Sequence, residues 1–320
     1  VQTCALPISA RIDYRLWRKL TPVLVVGALV VLLLILVPGL GQASYGATRW
    51  LKLGPLPAIQ PSEFGKLAVI FGTATWFSGS RHRVYDLKKG ILPWGLFVGG
   101  VTALIMKEPD MGTTLVVVAT AITMFFLAGA SLKYMALLLA GAVGGALVLI
   151  NSAGYRSERL QSFIDPWQDP TGLGFHIIQL LIAMGSGGLF GLGPGASRQK
   201  FFYIPSAQTD GIFAILGEEL GFVGCVVVIC LFAALIYRGV RIAAKAPDQF
   251  GSLLAMGIVS WFAFQTLINL GGITHTIPLT GIPLPFISYG GSALVATLAA
   301  VGVLLNISRA EPAAADTDEE

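Results

Sequence analysis

The stretch Thr21-Pro-Val-Leu-Val-Val-Gly-Ala-Leu-Val-Val-Leu-Leu-Leu-Ile-Leu-Val-Pro-Gly39 carries no ionisable side chain. As a helix rising about 1.5 Å per residue it covers most of the roughly 30 Å hydrocarbon thickness of a bilayer, so it reads as a membrane span. Seven further apolar runs follow, at about 63–78, 91–107, 111–130, 134–150, 212–237, 251–270 and 286–307. The 320-residue chain is 55% hydrophobic and 12% charged, with a mean hydropathy of +0.76, whereas a soluble domain carries about twice that share of charge. The sequence therefore predicts an all-α polytopic membrane protein of about eight transmembrane helices with one large extracytoplasmic loop.

The net charge of +4 matters less than where the cations stand. Basic clusters fall at Arg11, Arg15, Arg18 and Lys19, at Arg81, Arg83, Lys88 and Lys89, and at Arg238, Arg241 and Lys245, with Lys133 and Arg309 alone. Eight crossings put all of them on one side, which the positive-inside rule assigns to the cytoplasm. The loops near 40–62, 107–110, 151–211 and 271–285 then face outward. Residues 1–10 start without Met and lack the basic and apolar regions of a signal peptide, so their origin is unclear. Residues 11–309 form one membrane domain, and 310–320, rich in Ala, Asp and Glu, read as a disordered cytoplasmic tail.

The segment 151–211 is too long for a plain connector. Inside it, Phe175–Met184 is apolar but too short to cross, which predicts an interfacial or re-entrant helix. The run Tyr203-Ile-Pro-Ser-Ala-Gln-Thr-Asp-Gly-Ile-Phe-Ala-Ile-Leu-Gly-Glu-Glu-Leu-Gly221 puts Asp210 at a helix mouth, where a carboxylate serves either as an N-cap or as a chemical base. Glu218 and Glu219 fall about two turns inside, and an ionisable group there needs a partner, such as a cation on a neighbouring helix, or a functional reason. Gln60-Pro-Ser-Glu-Phe-Gly-Lys66 offers Ser62 as an N-cap and places Glu63 and Lys66 on one face, either as an ion pair with Lys66 snorkelling or as a cation for a phosphate. In Lys107-Glu-Pro-Asp-Met-Gly112, Pro109 breaks the helix and Asp110 is placed to cap the next. Arg156, Arg159, Arg198 and Lys200 make the outer loop basic.

Absences narrow the field. The glycines near Gly187–Gly195 lack a following Lys-Ser/Thr, so no nucleotide-binding loop is present, and His82, His176 and His275 are isolated. Cys4, Cys225 and Cys230 form no ligand pattern.

Arg11-Ile-Asp-Tyr14, Gln60-Pro-Ser-Glu63, Glu108-Pro-Asp-Met-Gly112, Gln199-Lys200, Pro205-Ser-Ala-Gln-Thr-Asp210, Gly217-Glu-Glu-Leu-Gly221 and Pro283-Leu-Pro-Phe-Ile-Ser-Tyr-Gly-Gly291 together resemble the SEDS family (FtsW/RodA) in order and spacing from about residue 11 to 309. The resemblance implies ten spanning helices, of which the first two have no counterpart here. It implies peptidoglycan glycosyl transfer from lipid II at the outer face of a bacterial cytoplasmic membrane, alongside a class B penicillin-binding protein and other divisome or elongasome membrane proteins. The family's essential acid matches Asp210, although most members carry Glu, His and Phe where this chain has Ser206, Gln208 and Gly211. The Arg11-Ile-Asp-Tyr14 start and Gln199-Lys200 are closer to FtsW than to RodA.

The chemistry that the resemblance implies joins a sugar hydroxyl of one lipid II to the anomeric carbon of another, which leaves as a lipid pyrophosphate. A base and phosphate-side cations are needed. Asp210 is the candidate base; Lys66, Lys200, Arg198, Glu63 and Ser288 are candidates for substrate binding. No cofactor is called for, and a divalent cation at the pyrophosphate stays open. A lipid II flippase and a non-catalytic scaffold for a penicillin-binding protein are the rival readings.

Overall fold

In the computed structural model, residues 4–44, 47–52, 58–151, 161–172, 174–199 and 207–310 are described. Lys200, Arg156, Arg159, residues 203–206 and the tail 311–320 lie outside them.

The helices are α1 (Ala5–Arg11), α2 (Tyr14–Leu34), α3 (Pro61–Ser78), α4 (Leu92–Lys107), α5 (Met111–Leu127), α6 (Leu132–Asn151), α7 (Phe175–Ser186), α8 (Ile212–Ala244), α9 (Gln249–Ile273) and α10 (Gly291–Arg309). Those other than α1 and α7 coincide with the eight apolar runs. The chain is a mostly helical, multi-pass membrane protein. Spans α2, α8, α9, α10 and the continuous stretch Leu87–Lys107 are long and apolar enough to cross by themselves. The boundaries shift where a local signal overrides hydropathy: α2 begins before Thr21 because the Asp13 side chain accepts the Arg15 N–H, and it ends ahead of Pro38. One departure from an all-helical reading is a small hairpin, β1 (Gly41–Ser44) antiparallel to β2 (Ala47–Leu51), between α2 and α3. Phe175–Met184 lies within α7, a helix of 12 residues, too short to span.

Helix α9 is the hub. Of its most apolar window 72% is buried, against 17% in α2 and α8. Apolar side chains of α2 and α8 such as Val23, Val26, Leu231 and Phe222 are exposed, as lipid-facing surfaces require. The main core stacks Phe77, Trp94 and Phe125 from α3, α4 and α5, and Trp94 donates to the Thr73 hydroxyl at 3.0 Å. A smaller core joins Leu180 and Ala183 of α7 to Phe213 and Ala214 of α8 and to Leu284.

Polar contacts mark two ends. At one, the Tyr14 hydroxyl donates to Asp248 at 2.6 Å, Arg15 pairs with Asp248 at 3.8 Å, and the Tyr14 N–H reaches Asn306. At the other, the Gln60 N–H meets Ser292, and α9 contacts residues 282 and 283. Asp210 belongs to this second end.

Candidate active site

Two buried side chains one turn apart on α9 organise the site. The Gln265 amide donates to the Pro283 carbonyl at 2.8 Å, and the Asn269 amide donates to Ile282 O at 2.7 Å and to Asp210 O at 3.2 Å. Consecutive carbonyls of the 281–289 segment are thereby held against α9, with Asp210 beside them. From the other side, the Ser288 hydroxyl donates to Thr209 O and accepts the Leu284 N–H, while the Tyr289 N–H donates to Gln208 O at 2.8 Å. Asp210 is thus clamped through its backbone, which leaves its half-buried carboxylate for other partners. Oδ1 accepts the Thr209 hydroxyl at 3.0 Å. Oδ2 accepts no hydrogen bond among the described residues and faces the open Cα side of Gly281.

Asp210 does not cap α8. Gly211 holds the N-cap position and no side chain bonds there. Ser62 is not a cap either: Gln60 is the N-cap of α3 with Pro61 following, and the buried Ser62 hydroxyl has no partner among the described residues. Asp110 does cap α5, through Thr113 N at 3.0 Å.

Glu63 and Lys66 form the ion pair that their spacing allows, at 2.8 Å, but Lys66 does not snorkel. It is 2% exposed, donates also to Gln265 Oε1 at 2.8 Å, and lies 4.8 Å from the Trp261 ring centroid. Gln265 and the Trp261 ring complete the surroundings of Lys66, which offsets part of the desolvation cost of the buried pair, while Glu63 Oε2 has no partner among the described residues.

Glu218 pairs with no cation among the described residues. Its carboxylate accepts the Ser197 hydroxyl at 2.5 Å, Arg198 N at 3.0 Å and Gln199 N at 3.3 Å, and Glu219 accepts Ser197 N at 3.4 Å. These acids pin the loop 197–199 to α8 through backbone N–H groups. Arg198 itself is exposed. Glu108, 1% exposed, has both carboxylate oxygens without a partner among the described residues. Burial pushes its pKa up to about 8, the nearby Asp110 charge adds to this, and Arg49 opposes it. Among the described residues no group of three or more His, Cys, Asp or Glu could hold a metal ion.

Sequence reading missed Gln265, Asn269 and Arg49, which donates to the Glu108 and Pro109 carbonyls. A signal existed for the first two: amide side chains four apart inside an apolar run must find partners on the facing element.

The profile of the family described as "Cell cycle protein", that of FtsW, RodA and SpoVE, matches residues 1–312. The chain is 48% identical over 298 residues to stage V sporulation protein E of Bacillus subtilis (strain 168), covering 93% of this chain and 81% of the relative. It is 41% identical over 301 residues to a probable peptidoglycan glycosyltransferase FtsW of Geobacter sp. (strain M18), covering 94% and 82%. Among solved structures, a chain of a peptidoglycan synthase complex that coordinates polymerization and crosslinking aligns with a TM-score of 0.77 at 29% identity, over 96% of this chain and 86% of that one. Thermus thermophilus rod shape determining protein RodA aligns with a TM-score of 0.67 at 30% identity, over 96% and 86%. With its clamped acid, its hub helix and these matches, the chain belongs to the FtsW/RodA/SpoVE family.

Proposed function

We propose that this chain is a peptidoglycan glycosyltransferase that polymerises lipid II at the outer face of a bacterial cytoplasmic membrane, with Asp210 as its base. The observation that carries this reading is the clamp: Asn269 and Ser288 fix the backbone at 209–210 while Oδ2 of Asp210 stays open to a substrate hydroxyl. In the reaction, the attacking sugar hydroxyl gives its proton to Asp210 as its oxygen bonds to the anomeric carbon of the second lipid II. The bond from that carbon to the pyrophosphate oxygen breaks, and the pair of electrons leaves on the lipid pyrophosphate.

Arg198, held against Glu218 two turns below Asp210, and Lys200 supply the cations for the pyrophosphate. Lys66, held by Glu63, orients Gln265 against the 282–283 segment from behind the site, and Ser288 positions the Asp210 segment. An apolar groove of about 390 Å³, lined by Leu24, Ala28, Phe64, Leu67 and Ala300, opens between α2, α3 and α10 and suits a prenyl chain. Among the described residues the buried side chains of Asp, Glu, Lys or Arg are Glu63, Lys66, Glu108, Asp110 and Glu218, all at the end that holds Asp210. That distribution favours an enzyme over a flippase, which needs polar groups at several depths. A class B penicillin-binding protein is the proposed partner, in keeping with the synthase complex among the structural neighbours.

The test is Asp210→Asn in a reconstituted assay with labelled lipid II. Because Gly211 and not Asp210 is the N-cap, the variant keeps its thermal midpoint, while glycan polymerisation falls by a factor on the order of 10²–10⁴. Polymerisation near the wild-type rate overturns the assignment of Asp210.

A further inference from the structure

At the end opposite Asp210, a pocket of about 420 Å³ opens between α8 and α10, lined by Arg238, Arg241, Lys245, Ile242, Ile307 and Ser308. The three cations recur at intervals of three and four residues, so they share one face of α8. All three are exposed. None lies within ion-pair distance of a carboxylate among the described residues, where the pairs are Arg15–Asp248 and Lys66–Glu63. Arg241 is steadied by Tyr237, whose hydroxyl accepts its Nη1 at 3.3 Å and whose ring centroid lies 5.8 Å from the guanidinium carbon.

The bland explanation is cation placement at a helix C-terminus. It does not account for what lies above the pocket. Counting back along the same face gives Ala234, Leu231 and Val227, all exposed, with Leu231 at 65% and Val227 at 53%. One stripe of α8 is therefore apolar for two turns and then cationic for two, with Ile307 and the Ser308 hydroxyl of α10 across the cavity. An acyl chain and a phosphate have that same order and spacing.

We propose that the pocket between α8 and α10 is a binding site for an anionic phospholipid, its phosphate held by Arg238, Arg241 and Lys245 and an acyl chain laid along Val227, Leu231 and Ala234. A cytoplasmic-leaflet location for this lipid rests on the outward orientation of Asp210 proposed above; the binding itself does not.

The experiment is native mass spectrometry of the full detergent-purified chain, titrated with dioleoyl-phosphatidylglycerol or dioleoyl-phosphatidylcholine. The wild type retains the phosphatidylglycerol adduct at about tenfold lower lipid than the phosphatidylcholine adduct, given the attraction of basic residues to anionic lipid. R241A weakens the preference, R241K retains it, and the triple R238A/R241A/K245A abolishes it with an unchanged thermal midpoint. Equal adducts of the two lipids in the wild type, or a preference that survives the triple substitution, overturns the site. Displacement of phosphatidylglycerol by an equal concentration of inorganic phosphate shows a phosphate site without lipid recognition and overturns it as well. The acidic residues beyond Ala310 are the competing occupant. Phosphatidylglycerol binding that appears only in E311Q/D316N/D318N/E319Q/E320Q overturns the lipid in favour of the tail.

Discussion

Glu108 shows how one buried side chain couples this fold to pH. Its carboxyl is enclosed at the Arg49 contact, and burial first, then the Asp110 charge, lifts it from the usual 4.5 to about 8. Between those values the folded protein holds a proton that the unfolded chain releases, so the contribution is complete below about pH 4.5 and is lost as pH rises through 8. Thermal stability therefore falls from pH 5 to pH 9. Glu108→Gln, which is always neutral, removes the fall: the variant matches wild type at pH 5 and exceeds it at pH 9 by on the order of 2–4 kcal/mol. Parallel melting profiles of the two proteins across that range would show that Glu108 ionises freely. The identity of this residue as a buried acid was not legible in Glu108-Pro-Asp110, because neither charge nor periodicity reveals that Arg49 reaches the carbonyls of the turn and that Thr280 and Ile282 pack beside Gly112. Asp110, by contrast, was legible, since an N-cap is a local device that needs only the residues following it.

Among the elements, α8 behaves least as its apolar pattern predicts. Its 33 residues are interrupted at Gly221, whose φ of 68° and ψ of −167° belong to a region open essentially to glycine alone. The chain 188–193 inserts there: Phe222 N donates to Gly188 O at 2.9 Å, Leu192 N to Glu218 O at 2.9 Å and Gly193 N to Glu219 O at 3.0 Å. Backbone groups freed by the break are thus satisfied by the 188–193 segment, as membrane depth demands. A Cβ on Gly221 meets Gly191 N at 2.3 Å. Gly221→Ala should destabilise the protein by about 1–3 kcal/mol or more and speed proteolysis of the 187–199 loop, whereas Gly27→Ala on α2, with open space around it, should do neither. Equal melting temperatures for these two variants would remove the break from the account. The run 212–237 was read as one span from hydropathy, which registers side chains and is blind to a backbone insertion.

For the whole molecule, orientation is the property on which the function depends. The contacts among Tyr14, Arg15, Asp248 and Asn306 gather the basic clusters of α2 and α8 at one end, and Asp210 stands at the other. With Cys4, Cys225 and Cys230 replaced by Ser, Thr171→Cys in intact cells should react with an impermeant thiol reagent and His82→Cys should react only after permeabilisation; both positions are exposed. The reverse pattern would invert the protein and place Asp210 inside.

The sequence by itself determined the membrane class, the eight apolar runs, the short helix at 175–184 and the motif acids, because transfer into lipid is a sum over residues and helix periodicity is local. Only the tertiary structure decided which polar groups meet: Gln265 and Asn269 holding 282–283 against Asp210, Lys66 sealed under Trp261, Glu218 bound by backbone N–H groups in place of a cation. Such contacts span from 13 to 199 residues of chain. Their energies depend on burial and on distances between helices, and no stretch of sequence carries either.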